Sequence, residues 1–384
     1  MRKNLGVLLV GMLVNMGIGL IMPITTLYLH NQLQQKLIVA GNVLLAFSLA
    51  MVLGNLLGGW LFDNWRIKLT HYLGGAIVGL NLLLLFFFPL WPWYALFATC
   101  YGWGLGILNS AVNGYIALRQ KCTPNLFTQE YWLANLGMGL ATFLSGVLYA
   151  VNVRWVFGVA FVLFFLAFVI IKFSFHELKR PVDQTKNQFS WRQFTQLPLK
   201  FWFICCLLII IWIGYEQWNS NVSVYMLQKG ISVQKYSLLF TISTFEIVLL
   251  QPLLGIFFRP TFKNEKWRIL LGSGFFAVSY LSLLHATAYP QFILGITLLS
   301  LGDILTLTTT PATLNRFATD QNRATIQALG STAGSLGRAL GPLLGSALIE
   351  LSGFDLTFLL LFAAHLLMVL LGSCVLRTKS NDQV

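Results

Sequence analysis

Runs of about 20 mostly apolar residues recur along almost the whole chain, and no other feature limits the possible folds as strongly. Such a run crosses a bilayer as a helix, because lipid offers exposed backbone groups no hydrogen-bond partner. The runs are too long and too uniformly apolar for barrel strands, so we predict an all-α integral membrane protein. Twelve helices are predicted, over residues 4–29, 37–62, 69–88, 92–118, 127–151, 155–175, 201–227, 235–258, 268–287, 291–315, 324–349 and 355–376.

The composition supports a membrane protein and gives its orientation. Only 10% of the 384 residues are charged, whereas soluble domains carry about a quarter. The net charge of +13 lies in short segments between apolar runs, so nucleic acid is not an expected partner. Twenty of the 25 Lys and Arg residues fall on one side of the predicted topology. This bias predicts a multi-pass protein of a bacterial inner membrane with both termini in the cytoplasm.

The two halves of the chain resemble each other. Tyr225 follows Tyr28 by 197 residues, and Arg316 follows Arg119 by the same interval. The longest polar segment lies between the sixth and seventh helices. Because transporters are often built from repeats, we predict a six-helix bundle over 1–175, a cytoplasmic linker over 176–200 and a second six-helix bundle over 201–384.

The sequence carries no complete signature of an enzyme or of a metal site. His176-Glu177 begins a zinc-protease pattern that ends in Arg180 instead of histidine, and no Walker-type phosphate loop occurs. The five cysteines lack metal-ligand spacing. We therefore expect a protein that is not an enzyme and binds no metal or other cofactor. A membrane enzyme or a receptor without transport activity stays open as a rival.

Two motifs carry a family resemblance. The connection between helices two and three reads Gly59-Trp-Leu-Phe-Asp63-Asn-Trp-Arg66, a glycine followed by an acid and a basic residue. Helix eleven contains small residues every four positions and a proline, a pattern of close helix packing, at Gly337, Gly341, Pro342 and Gly345. On these motifs the chain resembles the major facilitator superfamily over essentially its whole length. The resemblance implies two rocking bundles, with Gly59, Asp63 and Arg66 in a conformational switch.

Acidic residues inside the predicted helices extend the resemblance. Glu130, Glu216 and Asp303 lie where the drug/proton antiporter branch of the superfamily, of the lactococcal multidrug transporter type, carries acids. The resemblance implies a transporter that takes its energy from the proton gradient.

The acids are also informative without the resemblance. A charge at bilayer depth costs several kcal/mol, so an acid there is a functional candidate. We predict that Asp303, Glu216, Glu130 and Glu246 bind and release protons. Two structural alternatives stay open: Glu246 bonds to a neighbouring helix or lines the lumen passively, and Arg338 neutralises Asp303 or Glu216 as a fixed pair.

Amide and aromatic side chains surround the predicted acids, and these side chains suit amphipathic cations. The predicted cavity residues are Asn15, Asn109, Asn113, Tyr215, Gln217, Trp218, Asn219 and Arg338. Trp218 is equally compatible with an interfacial anchor. We therefore predict a monomeric, proton-coupled exporter of small amphipathic or cationic compounds by antiport. A sugar or metabolite transporter on the same fold is the alternative.

Overall fold

The structure is a computed structural model that describes residues 2–120, 126–176, 197–258, 262–317 and 323–376. Every regular element among these residues is a helix. Most of the predicted linker over 176–200 falls outside the described residues.

The first half of the chain forms six long helices, as predicted. They follow the apolar runs because an internally hydrogen-bonded helix leaves no backbone group facing lipid. A π-helical turn over Tyr28–Gln32 extends the first helix, and the Tyr28 hydroxyl donates a hydrogen bond to the Pro89 carbonyl at 2.6 Å. The helices are α1 (Arg2–Leu27), α2 (Leu37–Asn64), α3 (Ile67–Phe87), α4 (Trp93–Gln120), α5 (Leu126–Val151) and α6 (Val153–Ser174).

The second half is less regular. The predicted seventh helix breaks at Ser220, and the predicted tenth helix breaks between Thr306 and Thr310. The predicted eleventh and twelfth helices are two arms of one element that breaks at Gly353, where φ is 80°, a conformation that glycine adopts at low cost. The helices are α7 (Leu199–Asn219), α8 (Asn221–Gln228), α9 (Val233–Phe257), α10 (Phe262–Leu281), α11 (Tyr289–Thr306), α12 (Thr310–Asn315) and α13 (Arg323–Val375).

Ten segments of the described chain are long and apolar enough to cross a membrane. One of them, Leu329–Val375, has 47 residues and covers both arms of α13. Helix α10 is not among the ten because Glu265, Lys266 and Arg268 lie in its first turns. The twelve predicted helices are therefore present, with the second half more broken than expected.

The chain forms two compact units. One contains Met1–Val182 and Asn219–Thr244, and the other contains Asp183–Trp218 and Phe245–Val384. In the first unit, α2 packs against α4 and α1 packs against α5. Small residues allow these contacts, since a Cβ atom at Gly58 would overlap the backbone of Ile107. The functional division into 1–175 and 201–384 stays a prediction.

Helix α5 also packs against α9 within the first unit. Gly139 faces Thr244 and Gly146 faces Ser237, both so closely that a side chain on either glycine would meet its neighbour. Helix α1 contacts α8 in the same unit. Helices from both halves of the sequence therefore share one packed unit.

Candidate functional site

Asp303 lies in the membrane-spanning segment Tyr289–Leu314 of the second unit. Its neighbour Gly302 packs against Gly272 and Phe276 of α10, which fixes this face of α11. The Asp303 carboxylate is partly exposed, and no hydrogen bond or ion pair to it occurs within the described part of the chain. An unpaired charged carboxylate is costly at bilayer depth, which agrees with the predicted proton-binding role of Asp303; that role stays a prediction.

Glu246 provides a second carboxyl group beside α11. The Thr297 hydroxyl donates a hydrogen bond to Glu246 Oε1 at 2.5 Å, while Oε2 is buried without a partner among the described atoms. The bond to Thr297 agrees with the structural alternative for Glu246, contact with a neighbouring helix. The proton-binding role of Glu246 stays a prediction.

Glu216 belongs to a cluster of aromatic and charged side chains in the second unit. The guanidinium carbon of Arg338 lies 4.0 Å from the centroid of the Trp212 ring, and the Trp212 and Tyr215 rings are 5.2 Å apart. Glu216 attracts Arg338 electrostatically. Arg338 has an exposed side chain, and with Glu216, Trp212 and Tyr215 it forms a cation–π and charge cluster.

Trp212 is a residue of this cluster that is absent from the predicted cavity residues. Helical spacing places it one turn before Tyr215 and Glu216, on the same side of α7, and this spacing was a usable signal. We select Trp212 because the Arg338 guanidinium group lies over its indole ring. This contact depends on the packing of α13 against α7, which the sequence alone does not show.

The glycines of the helix-eleven motif form the contact between α13 and α7. A Cβ atom at Gly337 would overlap the carbonyl of Ile209, and one at Gly341 would meet the Glu216 side chain and the Ile213 backbone. Gly345 faces Gln217, and Pro342 lies inside the helix. This close approach holds Arg338 beside Glu216 and Trp212.

We expect Gly337→Ala to destabilise the protein by about 1–3 kcal/mol, since the added methyl group has rigid backbone in its way. Gly274→Ala is the matched control, because it is also a helical glycine of the second unit and has no atom within 4 Å of an added Cβ. Thermal unfolding in detergent measures the effect. Equal unfolding temperatures for the two variants would contradict the packing role of Gly337.

The neighbouring predicted cavity residues differ in their surroundings. Gln217 is 1% exposed and donates hydrogen bonds to the Ile213 and Gly341 carbonyls, both at 2.8 Å. Trp218 is fully buried and packs against Gly295. Asn219, at the end of α7, is partly exposed. The structure thus places Gln217 and Trp218 in helix contacts, and their role in binding stays a prediction.

Glu130 belongs to the first unit. Its side chain rests against Gly11 of α1, and the Asn15 amide donates to the Gly11 carbonyl at 2.9 Å. On α4, Asn109 is partly exposed and Asn113 is exposed. Glu130 of α5 and Asn15 of α1 therefore both lie next to Gly11, at the contact between these two helices.

The predicted switch residues lie at the junction of α2 and α3. Gly59 is close to the Ser110 side chain of α4, and Arg66 is exposed at the start of α3. Asp63 is in the last turn of α2, but its side chain lies outside the described part of the structure. The switch role stays a prediction. Among the described residues, no group of His, Cys, Asp and Glu side chains is arranged to hold a metal ion.

Comparisons with known proteins agree with this architecture. The sequence profile of the Major Facilitator Superfamily matches residues 7–263 and 219–383. A Bacillus subtilis (strain 168) protein described as the uncharacterized MFS-type transporter YttB is 30% identical over 389 residues, which cover 99% of this chain and 96% of that protein.

Solved structures show the same fold. An auto-inhibited POT family peptide transporter superposes with a TM-score of 0.79 at 15% identity, covering 100% of this chain and 99% of that one. A mutant of the nucleoside transporter NupG gives a TM-score of 0.81 at 13% identity, covering 98% and 100%. A bacterial homologue of the human lysosomal transporter Spinster gives 0.74 at 14% identity, covering 97% and 95%. At such identities these likenesses concern the fold alone.

Proposed function

Since the chain belongs to the major facilitator superfamily and is a multi-pass membrane transporter rather than an enzyme, we propose that it exports small amphipathic or cationic compounds by proton antiport. The proposal assigns it to the drug/proton antiporter branch. It places the protein in a bacterial inner membrane as a monomer with both termini in the cytoplasm. The proton gradient is its energy source, without a further cofactor.

The unpaired carboxyl group of Asp303 is the observation that carries this proposal. Arg338 interacts with Glu216, whereas no basic side chain of the described chain pairs with Asp303. Asp303 can therefore change its charge without breaking an ion pair. One proton that moves through 100 mV supplies about 2.3 kcal/mol, which drives export if proton and substrate exclude each other.

The cluster around Glu216 supports a cationic substrate. Trp212 and Tyr215 present aromatic faces beside a carboxylate, a combination that attracts organic cations. Arg338 already occupies the Trp212 face. An arriving cation therefore competes with Arg338 for the ring and for Glu216, so binding and release are coupled to movement of the Arg338 side chain.

Transport in liposomes tests the proposal. Purified protein is reconstituted with a pH-sensitive dye inside the vesicles, and a panel of cationic dyes and neutral sugars is added in turn. We expect proton movement opposite to the movement of cationic dyes. Proton movement in the same direction as a sugar would keep the fold and refute export by antiport.

A sugar or metabolite transporter is the second candidate, and Arg338 is the observation that favours it. An exposed guanidinium group offers several hydrogen-bond donors to carboxylate or hydroxyl groups of a metabolite.

Arg338→Gln separates the two candidates. For a cation exporter the variant removes a competing positive charge, so we expect cationic dyes to bind about five-fold more tightly, equivalent to about 1 kcal/mol. Dye binding is measured by fluorescence polarisation, with Arg154→Gln, a change at an exposed position of the first unit, as the control. Weaker binding of every cationic dye, together with loss of metabolite binding, would favour the second candidate.

A further inference from the structure

The break in the predicted tenth helix is held by one buried arginine from the neighbouring helix α10. Arg268 is 3% exposed. Its side chain donates to Thr309 Oγ1 at 2.7 Å, to Thr308 Oγ1 at 3.0 Å and to the Ile304 carbonyl at 3.3 Å. These three acceptors belong to the last turn of α11 and to the turn that follows it.

The break has a local cause. Pro311 near the start of α12 cannot donate a backbone hydrogen bond, and its ring disfavours a continuous helix through the preceding turn. The threonine side chains then bond to backbone carbonyls: Thr308 Oγ1 donates to Ile304 at 2.5 Å and Thr309 Oγ1 donates to Leu305 at 2.6 Å. Arg268 supplies a further donor to the Ile304 carbonyl.

A buried arginine without an acidic partner is costly, so its position needs a reason. Arg268 also donates to the Phe258 carbonyl, so its four acceptors in the described part of the chain are all neutral oxygens. The nearby acid of the same helix, Glu265, instead pairs with Arg316 at 2.7 Å. The hydrogen bonds of the Arg268 guanidinium group therefore stabilise the backbone at the break.

The resemblance between the two halves of the sequence supplies an internal comparison. The 197-residue interval between the halves places His71 opposite Arg268, and Asn109–Asn113 opposite Thr306–Thr310. His71 packs among Phe62, Tyr115 and Phe175, and α4 runs through Asn109–Asn113 without a break. The arginine and the broken helix therefore occur together in one half, the half that carries Asp303.

We propose that Arg268 is a positioning residue for Asp303: by bonding to Ile304, Thr308 and Thr309 it fixes the end of α11 and holds the Asp303 carboxyl group in place. Asp303 directly precedes Ile304, so a shift of the Ile304 carbonyl moves the acid as well. The proposal rests on the proposed role of Asp303 as the proton-binding group.

Carbodiimide labelling tests the proposal without a transport assay. N,N′-dicyclohexylcarbodiimide reacts with protonated carboxyl groups in apolar surroundings, and mass spectrometry reports the labelled fraction of Asp303 and Glu246 separately. In full-length Arg268→Gln we expect Asp303 labelling to fall about five-fold, because water entering the loosened break favours the charged carboxylate. Glu246 labelling is expected to stay constant. Arg268→Lys should restore part of the Asp303 signal because it keeps a donor and the charge.

Two further variants complete the test. The double variant Thr308→Val/Thr309→Val keeps Arg268 but removes two of its acceptors, and it should lower Asp303 labelling as well. Lys266→Gln removes a charge from the same helix at a side chain that bonds to Ser373 instead of the break, and it should change neither label. Equal Asp303 labelling in Arg268→Gln and Lys266→Gln, or a parallel loss at Asp303 and Glu246, would overturn the positioning role.

Hydrogen exchange of the peptide over 303–313 distinguishes the failure of this inference from failure of the proposed function. We expect Arg268→Gln to raise deuterium uptake there, and the rise does not depend on whether Asp303 carries a proton. Unchanged uptake would overturn the role of Arg268. If uptake rises but Asp303 in the parent protein does not react with the carbodiimide, the proton-binding role of Asp303 fails, and with it the proposal that Arg268 positions this group.

Discussion

Asp303→Asn is expected to lower dye-driven proton movement in liposomes by about a hundred-fold, equivalent to about 2.7 kcal/mol in the barrier. Asparagine keeps the size and polarity of the side chain but can neither release nor accept a proton in this pH range. Because Asp303 forms no ion pair within the described residues, the fold should tolerate the change. The measurement follows the pH inside vesicles after addition of a cationic dye.

Asp355→Asn is the matched control for this variant. Asp355 is an acid of the same unit, but it pairs with the exposed His285 side chain at 3.0 Å. We expect this control to keep the rate of the parent protein. Normal proton movement in Asp303→Asn would remove Asp303 from the mechanism, and equal losses in both variants would attribute the effect to general damage.

A disulfide between α5 and α9 is expected to stop transport completely. A Cβ atom added at Gly139 would lie 2.8 Å from Thr244 Cβ. The two Cβ atoms of a disulfide are roughly 3.5–4.5 Å apart, so the bond forms if the two helices move slightly apart. The two helices belong to different predicted bundles. If these bundles rock, the contact opens once in each cycle, and a covalent link prevents this step. Dye flux is measured for Gly139→Cys/Thr244→Cys without the five native cysteines, before and after reduction.

Each single cysteine variant serves as a control for the added side chain. Gly139→Cys alone brings a Cβ atom against Thr244 and is expected to slow transport without making it sensitive to reductant. The double variant should regain the rate of the single variant when reduced. Full flux in the oxidised, cross-linked protein would show that this contact stays closed throughout the cycle.

The helices of this protein were predictable because each apolar run in lipid has one way to satisfy its backbone. The breaks were predictable only in part. Pro311 was a sequence signal for the end of α11, yet the predicted helix over 291–315 ran through it. The break at Ser220 lies in the polar run Asn219-Ser220-Asn221, whose side chains compete for backbone hydrogen bonds.

The acids of the candidate site could be selected from the sequence because charge is rare and costly inside a membrane. Their partners could not be selected in the same way. Arg338 was compatible with either Glu216 or Asp303, and only the packing of α13 on α7 brings it to Glu216 and Trp212. The role of Arg268 could not be predicted from the sequence. It lies near the predicted start of helix nine, where basic residues commonly occur because they set the orientation of a membrane protein. Its role depends on a contact 36 residues away, at Ile304.

Proton release on substrate binding is the most direct test of the claim that proton and cation exclude each other. Purified protein in detergent and weak buffer is mixed with tetraphenylphosphonium at neutral pH, and the pH change is recorded together with the bound fraction. The proposed mechanism predicts that binding releases protons, and that Asp303→Asn binds the cation without releasing them. Binding of the cation to the parent protein with no proton release, or with proton uptake, would contradict antiport.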